Sequence, residues 1–272
     1  MRRALFVAAS SQHTGKTCSS SGLVRSLQGV FDRVGYIKPV GQKSVQVQAR
    51  EGLRSVDKDA PIFKELFGCD ADYADMSPVL IKKGYTKASL EGRISASHEL
   101  QAIEESFARV HDSHEFTVVE GTGHCGVGAS VGLSNARVAR SLGLPIVLVL
   151  NGGIGNTLDQ FFLNNGFCNM EGTSVRGVII NKVRPDKLEE VQHYTQRTLE
   201  EYCDVQVLGC IPDLQDLGKQ VHKLRPEDRE RTAIVADHYA QHIDIEKLLD
   251  VVDQHNSTLQ VTNRMGSAVA SK

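Results

Sequence analysis

Three consecutive residues near the start of the chain, Gly15, Lys16 and Thr17, could together hold the phosphates of a nucleotide. A phosphate chain requires backbone N–H groups curled around it, a positive helix N-terminus, a lysine that reaches the outer phosphates and a hydroxyl for Mg²⁺. An apolar strand pattern over residues 4–9 precedes the triplet, and a helical pattern follows it. The order of strand, loop and helix therefore predicts a phosphate-binding loop over residues 10–17.

This P-loop differs from the pattern G-x-x-x-x-G-K-[ST] at its first glycine, which is Ser10 here. A side chain at that position narrows the steric freedom of the loop but removes neither Lys16 nor Thr17. The residues that we expect to contact the nucleotide are Ser11, Gln12, His13, Thr14, Gly15, Lys16, Thr17 and Cys18.

Two charged residues stand where apolar strand patterns end: Lys38 ends the pattern over residues 33–38, and Glu120 ends that over 116–120. Ligands of open parallel sheets lie outside the carboxyl ends of the strands, so both side chains should face the phosphates bound by Lys16. A second cation suits the charge that develops in phosphoryl transfer, and an acid at this place holds Mg²⁺ or orients the nucleophile. Lys16, Lys38 and Glu120 are therefore the predicted catalytic set, although a solvated lysine that caps a strand is the alternative for Lys38.

Asp57 and Asp59 lie just before a helical pattern over residues 60–67. Capping of that helix is the ordinary explanation for an aspartate at this place. One of the two could instead complete the coordination of Mg²⁺, and the residues alone leave open which.

Asn181 ends the apolar pattern over residues 177–181, a place from which a loop could read a nucleotide base. The guanine-specific pattern N-K-x-D needs an acid at position 184 that accepts hydrogen bonds from the base. That residue is Arg184, which has no acceptor. Adenine is therefore favoured over guanine, and ATP with Mg²⁺ is the expected ligand.

Short apolar runs alternate with helical patterns along most of the chain, which indicates βα units and a parallel sheet. Nearly all of the runs are apolar on both faces, as a sheet covered by helices requires. The predicted strands are 4–9, 33–38, 116–120, 145–150, 177–181 and 205–210, and the predicted helices are 16–27, 60–67, 97–110, 135–142, 157–165, 188–202 and 245–252. We expect an α/β, P-loop three-layer fold with a mostly parallel sheet flanked by helices.

The patterns predict a single nucleotide-binding domain over residues 1–254. Residues 42–100 are its least regular part and are expected to form an insertion or active-site loops. The polar tail, residues 255–272, has little apolar surface, so we expect it to be disordered.

The net charge of −2 over 272 residues provides no positive field, so neither nucleic acid nor an anionic membrane is an expected partner. The apolar runs are far shorter than the roughly 20 residues that span a bilayer. The first residues, Met1-Arg2-Arg3, lead directly into a strand pattern and leave no room for a secretory signal, which favours a cytoplasmic protein. The six cysteines show no C-x-x-C pair and no zinc-site spacing.

Together, these segments resemble the dethiobiotin synthetase-like P-loop family, which includes the amino-terminal domain of long phosphotransacetylases and the ATPase part of cobyrinic acid amidases. The resemblance covers residues 3–213. It is strongest to the phosphotransacetylase branch, through K-P-V-G-Q at 38–42, V-D-K-D at 56–59 and E-G-T-G-H at 120–124. It implies that Lys16, Thr17 and Lys38 contact phosphates, that Thr17, Asp59 and Glu120 hold Mg²⁺, and that Asn181 reads adenine.

Two hypotheses on function follow from this resemblance. The first is an enzyme that transfers a phosphoryl group from Mg·ATP to a small carboxylate or carbamate, as dethiobiotin synthetases do with a diamine and CO₂. The second is a nucleotide-sensing module that regulates a partner enzyme. Gln42 and His124 differ from the small residues that the synthetases have at these positions, which keeps the second hypothesis open. The resemblance also implies a homodimer.

Overall fold

The computed structural model describes residues 2–49, 52–214 and 224–270 of the chain. Its strands are β1 Arg3–Ala9, β2 Val34–Ile37, β3 Val40–Gly41, β4 Ser44–Ala49, β5 Gly52–Asp57, β6 Val79–Leu80, β7 Phe116–His124, β8 Ile146–Asn151, β9 Val175–Val183 and β10 Gln206–Pro212. Its helices are α1 Lys16–Leu27, α2 Ala60–Phe67, α3 Tyr73–Met76, α4 Tyr85–Leu90, α5 Ala96–Ser113, α6 Asn135–Ser141, α7 Gly155–Met170, α8 Leu188–Cys203, α9 Arg229–Ala240 and α10 Ile245–Ala270.

Six strands form one parallel sheet in the order β10-β9-β8-β1-β7-β2. Strands β2 and β7 lie on one side of β1 in the sheet, and the later strands β8, β9 and β10 lie on the other side. A crevice therefore opens at the carboxyl end of β1, where the strand order reverses. The predicted α/β fold, with a mostly parallel sheet flanked by helices, is confirmed.

Helices cover both faces of this sheet, which explains why its strands are apolar on both sides. The side chains of β1 alternate between two buried clusters: Leu5, Val7 and Ala9 belong to one, and Ala4, Phe6 and Ala8 to the other. Helices α1, α9 and α10 contribute to the first cluster, and α6, α7 and α8 to the second.

The region expected to be least regular, residues 42–100, contains more structure than the sequence indicates. Strands β4 and β5 form an antiparallel hairpin, and β3 pairs in parallel with β6. The end of β5 carries Asp57, and α2 begins at Ala60 as predicted. The region thus delivers its two aspartates to the carboxyl edge of the main sheet.

The expectation of a disordered tail is wrong for most of residues 255–272, because α10 continues to Ala270. Leu248 and Val252 of this helix are fully buried, so the first turns are anchored on the sheet. Extending an existing helix fixes only one more residue for each new hydrogen bond, which requires no core of its own. Neither α10 nor any other helix in the described part of the chain is long and apolar enough to cross a membrane.

Close packing of α1 against α9 predicts a large effect of one added methyl group. A Cβ on Gly22 would lie 2.3 Å from Cβ of Tyr239, so Gly22→Ala must push the two helices apart. We expect this overpacking to lower the free energy of unfolding by about 1–3 kcal/mol, measured by urea unfolding followed by circular dichroism. Gly166→Ala is the matched control because it lies in α7 with no atom within 4 Å of the added Cβ. It should stabilise the protein by about 0.5–1 kcal/mol, and equal shifts in both variants would contradict the packing described here.

Candidate functional site

The P-loop connects β1 to α1, which begins at Lys16. Gly15 has a φ of 104°, in the left-handed region, and a Cβ on it would lie 2.2 Å from Nδ2 of Asn181. Glycine is therefore required at this position. Ser10 is buried, and its φ is not positive. The backbone at position 10 therefore does not require the glycine that the P-loop pattern has there.

Two side chains from a later part of the chain bind carbonyl groups of the P-loop, and a third supports one of them. Nδ2 of Asn181 donates to the carbonyl of Thr14 at 2.7 Å, and Nζ of Lys182 donates to the carbonyl of His13 at 2.7 Å. The hydroxyl of Tyr239 in turn donates to Oδ1 of Asn181 at 2.8 Å. Side chains of β9 and α9 thus hold the loop in place.

These contacts give Asn181 a supporting role that the sequence did not predict, and its contact with adenine stays a prediction. Its side chain is 1% exposed, and its Oδ1 also accepts a hydrogen bond from the backbone N–H of Lys182 at 2.9 Å. In this arrangement the amide supports the P-loop. The sequence could place Asn181 at the end of a strand but could not show that the loop would lie directly on it.

A buried ammonium group joins two of the predicted carboxylates. Nζ of Lys38 donates to Oδ2 of Asp59 and to Oε1 of Glu120, each at 2.7 Å. All three side chains are at most 6% exposed. The hydroxyl of Thr17 approaches the same two oxygens, at 3.4 Å from Asp59 and 3.1 Å from Glu120. The alternative of a solvated Lys38 is therefore excluded, and we call Thr17, Lys38, Asp59 and Glu120 the charged cluster.

The electrostatics of the site favour the charged forms in this cluster. Burial alone would lower the pKa of Lys38, but Asp59 and Glu120 raise it well above its ordinary value. Burial would likewise raise the pKa of Asp59, but Lys38 and Lys58 hold it well below its ordinary value. Lys16 is different, because burial lowers its pKa to about 8. Its ammonium makes no ion pair with any of the described residues, and an anionic ligand would favour its charged form.

The structure also distinguishes the two aspartates. Asp59 points into the charged cluster, whereas Asp57 binds backbone N–H groups. Oδ2 of Asp57 accepts from the N–H groups of Gln42 and Lys43, and its Oδ1 accepts from the N–H of Asp59 at 3.1 Å. Asp57 therefore shapes the segment that presents Asp59.

The donor set of the cluster fits Mg²⁺, which prefers oxygen ligands. The hydroxyl of Thr17 and one oxygen each from Asp59 and Glu120 already converge on one place. Within residues 2–49, 52–214 and 224–270, no three His, Cys, Asp or Glu side chains gather as a metal site of their own. Phosphate oxygens and water would therefore have to complete the coordination, as is usual for Mg²⁺.

The remaining predicted loop residues differ in what they can offer. The hydroxyls of Ser11 and Thr14 lie 3.0 Å apart, and the side chains of Gln12 and His13 are exposed. Cys18 is buried, and burial raises the pKa of its thiol to about 12. Only the backbone of Cys18 can therefore face a phosphate.

Several supporting residues carried no recognisable signal in the sequence. The hydroxyl of Tyr36 donates to Oε2 of Glu120 at 3.2 Å, and its ring stacks on Phe63 with centroids 3.6 Å apart. Lys58 donates to Oδ1 of Asp59 at 2.5 Å. Tyr36 has the pattern of an ordinary core residue of a strand, and Tyr239 lies on a helix that was not predicted. Only Lys58 belongs to a segment noted in the sequence, V-D-K-D.

A polar cavity of about 270 Å³ has in its wall Ser77, which binds the backbone of Asp57. It is lined by Arg54, Ser55, Ser77, Lys82, Tyr85 and Glu99, among others. Oγ of Ser77 accepts a hydrogen bond from the N–H of Asp57 at 2.8 Å. Because Asp57 also accepts from the N–H of Asp59, two hydrogen bonds link the cavity wall to the charged cluster.

Comparison with protein families gives one match over most of the chain. The model of the family AAA_26, described as an AAA domain, matches residues 3–221. The chain is also similar to the ATP-dependent dethiobiotin synthetase BioD of Bacillus subtilis (strain 168), with 26% identity over 221 residues, covering 80% of this chain and 90% of that protein. BioD of Methanococcus vannielii is 26% identical over 227 residues, covering 81% and 98%.

A cobyric acid synthase from Chlorobium chlorochromatii (strain CaD3) is 28% identical over 230 residues, but the match covers only 44% of that protein. Among solved structures, a ParA family ATPase from Chlorobium tepidum TLS superimposes with a TM-score of 0.50 at 13% identity, covering 94% of this chain and 99% of that chain. This likeness supports the fold alone.

The charged cluster predicts that removal of its central ammonium is costly. Lys38→Met leaves two buried carboxylates face to face, so we expect the free energy of unfolding at pH 7 to fall by about 3–5 kcal/mol. The folded pKa of Asp59 lies below its ordinary value of 3.8, so the stability that it contributes is present above that value and lost as the pH falls below it. The difference between wild type and variant should therefore shrink below about pH 4.

Lys58→Met is the matched control, because Lys58 binds the same carboxylate with a side chain that is 44% exposed. Its loss should cost less than about 1 kcal/mol. Urea unfolding from pH 3 to pH 7 measures both variants. Equal losses for the two lysines, or a Lys38→Met loss independent of pH, would contradict the buried cluster.

Proposed function

The chain belongs to the AAA domain family AAA_26, and from that premise we propose that it is an Mg·ATP-dependent enzyme that transfers the γ-phosphoryl group to a small carboxylate or carbamate. Its relatives place it among P-loop ATP-binding proteins like dethiobiotin synthetase. In the proposed reaction an oxygen of the acceptor forms a bond to the γ-phosphorus while the bond to the β,γ-bridging oxygen breaks. The products are ADP and an acyl or carbamoyl phosphate.

One observation carries this proposal: the oxygens of Asp59 and Glu120 that meet Thr17 are the same oxygens that bind Lys38. Together with Lys16, the ammonium of Lys38 and the hydroxyl of Thr17 thus bring two cations and a hydroxyl to the N-terminus of α1. A domain that served only as a scaffold would have no use for three buried charges at the mouth of a P-loop, because charge burial is costly.

Thr17, Asp59 and Glu120 are the residues that would hold Mg²⁺ beside the nucleotide. The bound ion would neutralise charge on the phosphate oxygens during transfer. Tyr36 orients Glu120 through the bond to Oε2, and Lys58 orients Asp59 through the bond to Oδ1. Because Tyr36 and Lys58 bind the other oxygen of each carboxylate, Oε1 of Glu120 and Oδ2 of Asp59 remain directed at Thr17.

Lys38 lies between the two carboxylates and binds both of them. When Mg·ATP is bound, Lys38 would exchange one or both carboxylates for a phosphoryl oxygen. Lys16 would gain an anionic partner at the same moment, which raises its pKa from about 8 and keeps its ammonium charged. Both lysines could then stabilise the charge on the transferring group.

The polar cavity of about 270 Å³ supports a small acceptor with a carboxylate. Arg54 and Lys82 supply two cations against the one carboxylate of Glu99, and Ser77 and Tyr85 supply hydroxyls. The hydroxyl of Tyr85 is buried and has no hydrogen-bond partner among the described residues, so it is free to donate to a ligand. A compact polar pocket joined to Asp59 through Asp57 is a reasonable place for the second substrate.

Titration calorimetry with ATP and GTP in Mg²⁺ is the first test, and we expect ATP to bind more tightly. Phosphate or ADP release should then be stimulated by one member of a panel of small carboxylates, or by 7,8-diaminopelargonate with bicarbonate. Lys16→Ala should lower the stimulated rate by a factor of about 10² or more, since it removes a group that acts on the transferring charge. Lys187→Ala, on an exposed lysine paired with Glu190, is the control and should leave the rate unchanged.

Turnover that survives Lys16→Ala unchanged would overturn the proposal. Tight ATP binding without stimulation by any acceptor would instead favour the nucleotide-sensing module. In that case the association of the chain with itself or with a partner should depend on ATP, and sedimentation with and without Mg·ATP would measure it.

A further inference from the structure

A second cavity, of about 410 Å³, lies at the opposite edge of the sheet from the P-loop. Its walls come from the end of α6, the end of α7, the first residues of β9 and one face of α10. The residues that matter below are Arg140, Thr173, Ser174, Arg176, His255 and Leu259. Because the strands of the sheet are parallel, the start of β9 is far from the carboxyl edge where the nucleotide site lies. We call this cavity the α10 pocket.

The charges of the α10 pocket are all of one sign. Its lining includes the guanidinium groups of Arg140 and Arg176 and no Asp or Glu of the described residues. The carboxylate nearest to Arg176 is that of Asp204, at 4.0 Å, and it is 94% exposed. Nη1 of Arg140 donates to the backbone carbonyl of Glu171, a neutral acceptor, at 3.2 Å.

Arg176 also has an unused donor. Its Nε is buried and has no hydrogen-bond partner within the described ranges of the chain. A buried guanidinium N–H without an acceptor costs more than a typical hydrogen bond contributes. The Arg176 side chain as a whole is 39% exposed, so its guanidinium can reach a ligand, and an anion between Arg176 and Arg140 would offset the repulsion of their two positive charges.

The remaining walls define the size and character of the ligand. Thr173 and Ser174 offer hydroxyls, whereas Leu144 and Leu259 offer apolar surface. His255 closes the α10 side, with Nε2 3.2 Å from the carbonyl of Gly143. The volume falls within the range of small-molecule sites, which is roughly 300–1,000 Å³.

We propose that the α10 pocket binds a small organic anion, with a carboxylate or phosphate group held by Arg140 and Arg176 and a short apolar stem against Leu144 and Leu259. A planar guanidinium binds either kind of head group through paired N–H donors. The site is separate from the nucleotide site, so this proposal does not rest on the proposed reaction.

His255 provides a local reporter of occupancy. Burial lowers its pKa, the bond to Gly143 raises it, and the charge of Arg176 lowers it. The charged side chains that face it across the pocket are Arg176 and Arg140, and an anion bound between them would offset their repulsion. The pKa of His255 should therefore rise when the pocket is filled.

The experiment is a titration with inorganic phosphate and, separately, with hexanoate, followed by NMR of the histidine rings. A saturating concentration of a non-hydrolysable Mg·ATP analogue keeps the P-loop from competing for the anion. We expect a saturable shift of the His255 resonances and a rise in its pKa with at least one probe. His238 is the internal control, because it is also partly buried and bonded to a carbonyl, that of Pro212.

Two variants make the test specific. Arg176→Gln and Arg140→Gln should each weaken binding by about tenfold or more, since each removes a charged donor pair. Arg197→Gln, on an exposed residue of α8, should leave the affinity unchanged. Tighter binding of hexanoate identifies a carboxylate with a stem, and tighter binding of phosphate identifies a phosphate head group. No saturable shift with either probe, or equal affinity in all three variants, would overturn the proposal.

Discussion

The burial of Lys38 between Asp59 and Glu120 is the constraint on which the site depends. Three full charges inside a protein are tolerated only when each has close partners, because water no longer compensates for them. The cluster therefore fixes the mutual positions of the end of β2, the loop before α2, the middle of β7 and the start of α1. Any displacement of one segment would leave a buried charge without a partner. The geometry that binds a nucleotide is thus held by the same contacts that make the fold specific.

The P-loop itself is held by β9 and by α9, the helix that packs against α1. Asn181 at the end of β9 holds the carbonyl of Thr14, and Tyr239 on α9 holds Asn181. Gly15 lies so close to this pair that a single methyl group would collide with it. The loop therefore has little freedom even without a ligand, which reduces the ordering cost of binding phosphates.

Much of this arrangement could be predicted from the sequence, since strands covered on both faces leave a clear pattern of apolar runs. The helices α1 and α2 have the predicted bounds, Lys16 begins α1 and Lys38 directly follows β2, whereas Glu120 lies within β7 because that strand continues to His124. Helix α9 was missed because its buried side mixes polar Thr232 and small Ala236 with Val235 and Tyr239, while apolar Ile234 is 44% exposed, so no clear apolar stripe appears in the sequence. The pairing of Lys38 with two acids, and the contact of Asn181 with the loop, depend on distances between segments that local patterns do not contain.

The dependence of the P-loop on Tyr239 has a consequence for synthesis on the ribosome. The phosphate-binding segment leaves the exit tunnel early, but the helix that fixes its support is translated more than 200 residues later. A nascent chain that has exposed only β1, α1 and β2 lacks Glu120, Asn181 and Tyr239, and Lys38 has no carboxylate partner. The chain can therefore bind a nucleotide only after α9 has been translated. A truncated translation product would contain the phosphate-binding sequence but would lack affinity for the nucleotide.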